Sequence, residues 1–280
     1  MNGSLMLQCI RWLGGGPMAD NKTHFDDAAT YDRFMGRWSR GVGSVFLDWL
    51  APSAGARWLE VGCGSGTFTG QVLDACAPAS MSTVDPSKSQ IDYASGQPIS
   101  QRVDFRIADA QALPFPDATF DVVASALVLN FIPDRPRGLS EMRRVTRPGG
   151  VVAGYVWDFA AERGPTRPLR SAMLGIGVDP RAQSGAEDTS LAALHSLFEQ
   201  AGFQDIETRT IDVSLNFPNF DEYWRAQTPP LHPNVKTIAA LPEADRGRLV
   251  ELVRAELTAR PDGSITTSAR ANAIKARAPD

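Results

Sequence analysis

Residues 58–70 read "WLEVGCGSGTFTG". An apolar run from Trp58 to Val61 ends in glycine at every second position (Gly62, Gly64, Gly66), and apolar residues at helical spacing follow. Glycines remove side chains where a backbone must turn sharply or lie against a ligand. A buried strand, a bare loop and a helix start are the parts of a nucleotide site, with loop N–H groups and the helix N-terminus turned to the ligand. A dinucleotide loop has the spacing G-x-G-x-x-G, whose third glycine allows close helix–strand packing. Here the spacing is G-x-G-x-G and position 67 is Thr, which disfavours a nicotinamide cofactor.

Outward from this loop, short apolar runs alternate with amphipathic stretches, the pattern of an α/β fold with a mainly parallel sheet. Strands are predicted at 57–61, 81–85, 103–108, 120–127 and 151–157, with helices at 67–77, 87–95 and 135–146 between them. "RPGG" (147–150) closes the last of these as a helix stop and turn. A helix at 191–201 leads through Gly202 into a strand at 205–215, and residues 264–278 alternate as a closing seventh strand. Residues 161–189, rich in Arg, Gly, Pro, Ser and Asp, read as a long loop. Residues 216–260 carry Pro218, Pro229, Pro230 and Pro233, several aromatics and a helix at 243–259, and read as a helical insertion before the last strand.

A chain of 280 residues holds one large domain or two small ones. Its 43% hydrophobic and 21% charged residues are ordinary for a globular protein. A net charge of −4 argues against nucleic acid as a partner. No apolar run approaches the ~20 residues that span a bilayer. Cys9, Cys63 and Cys76 form neither a disulfide framework nor a zinc pattern, so no metal site is predicted and a cytoplasmic location is expected. Cys63 reads as a nucleophile or as a small residue fitting a tight turn; with no histidine near it in sequence, the second is favoured. Residues 1–17 fit a signal peptide poorly. Residues 1–24 are expected to be a disordered extension and 25–280 the folded domain.

Asp85 ends the second predicted strand, 19 residues after Gly66, where an acid accepts hydrogen bonds from ribose hydroxyls. Asp109 ends the third, where an acid has no use for a pyrophosphate but suits an adenine amino group. Either alone would serve as a helix cap or turn residue. Together, after a glycine loop, they line one crevice.

"LEVGCGSGTFT" (59–69), "STVDPS" (82–87), "RIADAQALPFPDATFDVVASALVLNFIPD" (106–134) and "EMRRVTRPGGVV" (141–152) resemble the successive motifs of class I S-adenosylmethionine-dependent methyltransferases. The branch most similar is the small-molecule group that includes the ubiquinone and menaquinone C-methyltransferases. The resemblance covers residues 25–160, and less specifically 197–211. It implies a Rossmann-like, doubly wound, mainly parallel seven-stranded sheet with an antiparallel last strand, and S-adenosylmethionine as cofactor. Gly62, Gly64 and Gly66 would pass under its methionine part, and Glu60 would help hold its amino group. Asp85 would bind the ribose and Asp109 the adenine amino group, with the backbone of Ala110 beside it. Ser125 and Ala126 would touch the methionine end. Asn130, a candidate for the substrate pocket, stands where many relatives carry His, which puts any role of that histidine in doubt here.

The resemblance implies a small organic acceptor, and the lack of an Asn-Pro-Pro-Tyr motif after the fourth strand counts against an adenine-N6 or protein-glutamine acceptor. Two regions are candidates for its pocket. In "YDRFMGRWSR" (31–40) Tyr31, Phe34 and Trp38 make an apolar helical stripe and Arg33, Arg37 and Arg40 a basic one. This is either an ordinary amphipathic helix or one that brings Tyr31 or one of these arginines, Arg40 foremost, to the cofactor carboxylate or an anionic substrate. In "NFPNFDEYWRAQTPPLHP" (216–233) the aromatics, Tyr223 and Trp224 among them, either wall the acceptor or form the core of a lid, and His232 is a candidate to reach the pocket. Neither His24 nor His195 is better placed, and no catalytic residue is assigned. A non-catalytic cofactor binder is the alternative, ahead of a nicotinamide-dependent oxidoreductase.

Overall fold

The computed structural model describes residues 28–229 and 234–280; the expected extension at 1–24, His24 and His232 lie outside them. The chain runs α1 (Ala28–Leu50), β1 (Arg57–Val61), α2 (Thr67–Cys76), β2 (Ser80–Asp85), α3 (Lys88–Ser95), β3 (Asp104–Ile107) and β4 (Phe120–Ala126). It continues with α4 (Arg135–Val145), β5 (Thr146–Trp157), α5 (Arg167–Gly175), α6 (Leu191–Gln200) and β6 (Gln204–Phe217). Helices α7 (Phe220–Gln227), α8 (Val235–Ala239) and α9 (Glu243–Glu256) precede β7 (Ile265–Arg277).

The seven strands form one sheet in the order β3-β2-β1-β4-β5-β7-β6. Strands β1 to β5 pair in parallel, and β7 runs antiparallel between β5 and β6. The strand order reverses between β1 and β4, and a crevice opens there outside the carboxyl ends of the strands. Alternating side chains feed two layers. Trp58, Ala153, Tyr155 and Trp157 pack under α1 and α2 with Trp38, Phe46 and Phe68. Leu59, Val61, Val152 and Val156 face the other way, against Leu139 and Met142 of α4 and Phe198 of α6.

Three expectations are corrected. Helix α1 is 23 residues long rather than ten, because Val42, Phe46 and Leu50 prolong the stripe begun by Trp38. Gly41 and Gly43, poor helix formers, permit close packing: a Cβ at 43 would lie 2.2 Å from Gln71 Oε1 on α2. The "RPGG" turn lies inside β5, where pairing jumps from Phe120↔Thr146 to Val122↔Val151 and Gly149 takes φ +65°. Residues 161–189 hold α5, whose Leu169, Ala172 and Met173 join Phe220, Tyr223, Ile238, Leu249 and Val253 in a third cluster.

Because β6 is antiparallel to β7, and β7 to β5, β6 ends on the same side as the parallel strands. Helix α5 and helices α7 to α9 thus leave the sheet at its crevice end and share one core where a lid is expected, tied by the Arg167–Glu256 ion pair at 3.1 Å. Arg37 of α1 reaches this lid's base: its Nη2 donates to the Asn216 carbonyl at 3.0 Å, and its guanidinium lies 5.2 Å from the Phe217 ring centre. Arg37→Ala is expected to lower stability by about 1 kcal/mol, read as a shifted urea midpoint with unchanged slope. Among the described residues no helix is long and apolar enough to cross a membrane.

Candidate functional site

Strand β1 ends under a loop bent by three left-handed glycines, Gly62, Gly64 and Gly66, at φ +82°, +51° and +83°. Each needs its glycine for a different reason. A Cβ on Gly62 would lie 2.5 Å from Val128 Cγ2, and one on Gly66 3.2 Å from Ile99 Cδ1. A Cβ on Gly64 would find nothing nearer than Gln90 Oε1 at 3.9 Å, so at its centre the loop is bare on the open side.

Four of the loop's N–H groups, expected to face the ligand, are bonded within the fold. Those of Gly62 and Cys63 donate to the Val84 carbonyl, that of Gly66 to the Cys63 carbonyl, and that of Gly64 to Asp85 Oδ2 at 2.9 Å. A pyrophosphate would need those donors free. What the crevice presents instead is acid, at the carboxyl ends of three neighbouring strands.

Glu60, on β1, is 1% exposed and accepts a 2.5 Å hydrogen bond from Thr69 Oγ1 in the first turn of α2. Burial raises its pKa to about 8, with the charge of Asp85 adding to the rise. Asp85, the last residue of β2, takes the N–H groups of Gly64 and Ser87 on separate oxygens. Burial also raises its pKa, against the pull of those two bonds. Asp109 follows β3, whose next residue, Ala108, donates its N–H to the Asp85 carbonyl at 3.2 Å. Its carboxylate is exposed on the rim and held by Gln111, through the backbone N–H at 2.8 Å and Nε2 at 3.0 Å. Gln111 Oε1 in turn accepts from the Asp134 N–H, at the cap of α4. Among the described residues no Lys or Arg side chain forms an ion pair with Glu60, Asp85 or Asp109. Such a site suits a cationic ligand.

Ser125 is 1% exposed and gives its hydroxyl to the Val61 carbonyl at 3.1 Å, so it braces the loop's base from β4 instead of facing a ligand. Ala126 ends β4, half-buried, and Ala110 lies half-buried beside Asp109. Asn130 is buried and donates Nδ2 to the Ser184 carbonyl, fastening the α5 excursion to the turn after β4. Arg40 is exposed, and its carbonyl accepts from Gln71 Nε2. Tyr31 falls within α1, but its side chain is not among those described, and His232 is outside the described residues. Tyr223 belongs to the lid core at 0% exposure, edge-on to Phe217 at 5.3 Å, while half-exposed Trp224 stacks on Phe220. Burial pushes the Cys63 thiol well up, which leaves it a small turn residue and no nucleophile. Thr69, Gln111 and Val128 carry the site's geometry; they lie within the motif segments at 59–69 and 106–134 but were not singled out there.

Residues 59–154 match a family described as "Methyltransferase domain". The chain is 36% identical over 132 residues to the ubiquinone/menaquinone biosynthesis C-methyltransferase of Geobacter sulfurreducens, covering 45% of this chain and 49% of that one. It is 34% identical over 173 residues to an O-methyltransferase of Penicillium expansum, covering 59% and 58%. The chain thus spans about half the length of these relatives. Phosphoethanolamine N-methyltransferase 2 of Haemonchus contortus, solved with S-adenosyl-L-methionine, has the same fold: TM-score 0.56 at 19% identity, over 91% of this chain and 57% of that one.

Proposed function

We propose, from the premise that residues 59–154 are a methyltransferase domain of the class I S-adenosylmethionine-dependent kind, that this protein methylates a small organic acceptor beneath its lid. The observation that carries the reading is the set of three strand-end acids with no cationic partner among the described residues, beside a loop whose Gly62, Cys63, Gly64 and Gly66 N–H groups are already bonded. That set favours a ligand bearing positive charge over any nucleoside phosphate.

When bound, the cofactor supplies a methyl group on a positive sulfur, so the group departing from it is a neutral thioether. The chain's residues hold and shield. Asp85 accepts from the ribose hydroxyls on lone pairs left over from Gly64 and Ser87. Asp109, oriented by Gln111, accepts from the adenine amino group, and Glu60 balances the ammonium from below the loop. The lid of α5 and α7 to α9 keeps water from the acceptor. Holding two reactants in line within such a site supplies ~7–11 kcal/mol of the barrier. A base is needed only where the acceptor loses a proton on attack, and none is assigned. The relatives' names cover carbon, oxygen and nitrogen acceptors, so the acceptor atom stays open.

Isothermal titration is expected to show S-adenosylmethionine and S-adenosylhomocysteine binding while NAD gives no heat. The reverse preference would overturn the reading. Transfer of a tritiated methyl group from S-adenosylmethionine into the small-molecule fraction of a cell extract separates an enzyme from an inert binder.

A further inference from the structure

Helix α7 starts at an Asn219 cap, which accepts from the Glu222 N–H, and runs two turns along the base of the lid. Tyr223 and Gln227 stand four residues apart and so share one face. They are 0% and 1% exposed. The Tyr223 ring is ordinary core, packed among Phe217, Phe220 and Met173. The polar atoms are not: the Tyr223 hydroxyl and both amide atoms of Gln227 have no hydrogen-bond partner among the described residues. Other buried amides are bonded through at least one atom, although the Asn272 Oδ1 lacks a partner among the described residues. Asn272 donates to the Thr189 carbonyl and Asn234 accepts from the Arg181 N–H.

Three unpaired polar atoms on one helix face cost the fold their full desolvation and return nothing to it. A phenylalanine and a methionine would fill the same space. The place they occupy supplies a use. Helix α7 follows the crevice-side end of β6, and Leu215, at that end, packs against both the lid cluster and the α1-side cluster that holds Trp157. Trp157 closes β5, and its indole N–H is likewise buried without a partner. The unpaired Trp157 donor thus stands at the crevice-side end of β5, as α7 stands past that of β6.

We propose that Tyr223 and Gln227 form the polar end of the acceptor site. They take a small molecule whose apolar body carries a donor and an acceptor side by side, as in a carboxamide, a lactam or an α-hydroxy carbonyl. The Gln227 amide presents the complementary pair, and the Tyr223 hydroxyl adds a third contact one turn away. This rests on the methyl-transfer reading and narrows its substrate class.

The test uses the full chain with Tyr223→Phe and Gln227→Met, which keep volume and remove the unpaired atoms. Each variant is expected to melt at the wild-type temperature or about 2–4 °C above it, because a cost of burial is removed. Each should bind S-adenosylmethionine with unchanged affinity by calorimetry, and transfer tritiated methyl into the small-molecule extract fraction at least about tenfold more slowly. A lowered melting temperature would mean that these atoms are bonded within the fold and would overturn the proposal. Unchanged transfer would overturn it as well, while leaving the methyltransferase reading intact. A wild type that binds S-adenosylmethionine and labels nothing would sink that reading, and this proposal with it.

Discussion

Asp85→Ala is expected to weaken S-adenosylmethionine binding by about 10- to 100-fold, the loss that accompanies removal of hydrogen bonds to a charged acceptor. The carboxylate is 9% exposed and ties the glycine loop to the start of α3, with each oxygen 2.9 Å from a backbone nitrogen. Burial lifts its pKa and those two bonds lower it, and the balance is upward. Desolvation thus outweighs what the backbone bonds return, so folding gains little from this charge. An acid kept in such a position serves a ligand. Truncation should leave the melting temperature near its wild-type value while affinity collapses. Asp85→Asn turns an NH2 group toward one of the two N–H donors and is expected to lose nearly as much. Calorimetric titration with parallel thermal melts reads both quantities. Wild-type affinity in Asp85→Ala would put the crevice somewhere else.

The parts of this site legible in the sequence are those set by local rules. Glycines 62, 64 and 66 announce left-handed backbone, and acids that follow apolar strand runs announce a crevice at the carboxyl edge. Parallel strands buried on both faces read as continuous apolar stretches, which is why the sheet was visible. What stayed hidden depends on contacts between distant segments. The Asn130 amide looks like a pocket residue until its bond to the Ser184 carbonyl, 54 positions away, accounts for it. Arg37 looks like an anion ligand until Asn216 and Phe217 take its guanidinium. Helix α5 was masked by the Arg, Gly and Pro around it, although Leu169, Ala172 and Met173 carry helical spacing. Gln227 reads as a surface residue because polarity predicts exposure, and only its burial against that rule makes it informative.

Glu60→Gln is expected to raise stability at alkaline pH while weakening the cofactor site. The Glu60 carboxyl is buried beside Thr69, and desolvation, aided by Asp85, lifts its pKa to about 8. The unfolded chain releases that proton near the ordinary glutamate value, whereas the folded chain holds it to about 8. Between those limits the native state carries the extra proton, so stability falls as pH rises, by up to about 1.4 kcal/mol per pH unit from this group. The contribution is fully present below the unfolded value and gone above about 8. Glutamine accepts from Thr69 equally well and never ionises, so the variant should show a flatter melting profile and its largest gain over wild type at pH 8 and above. Binding runs the other way. An ammonium arriving next to Glu60 favours the carboxylate, and at pH 7 the wild type should release a proton on binding S-adenosylmethionine. Titration in buffers of different ionisation enthalpy measures that proton; Glu60→Gln should lose it, along with about tenfold in affinity. The same proton release in both proteins would remove Glu60 from the site, and equal pH slopes would show that its carboxyl is ionised in the free fold.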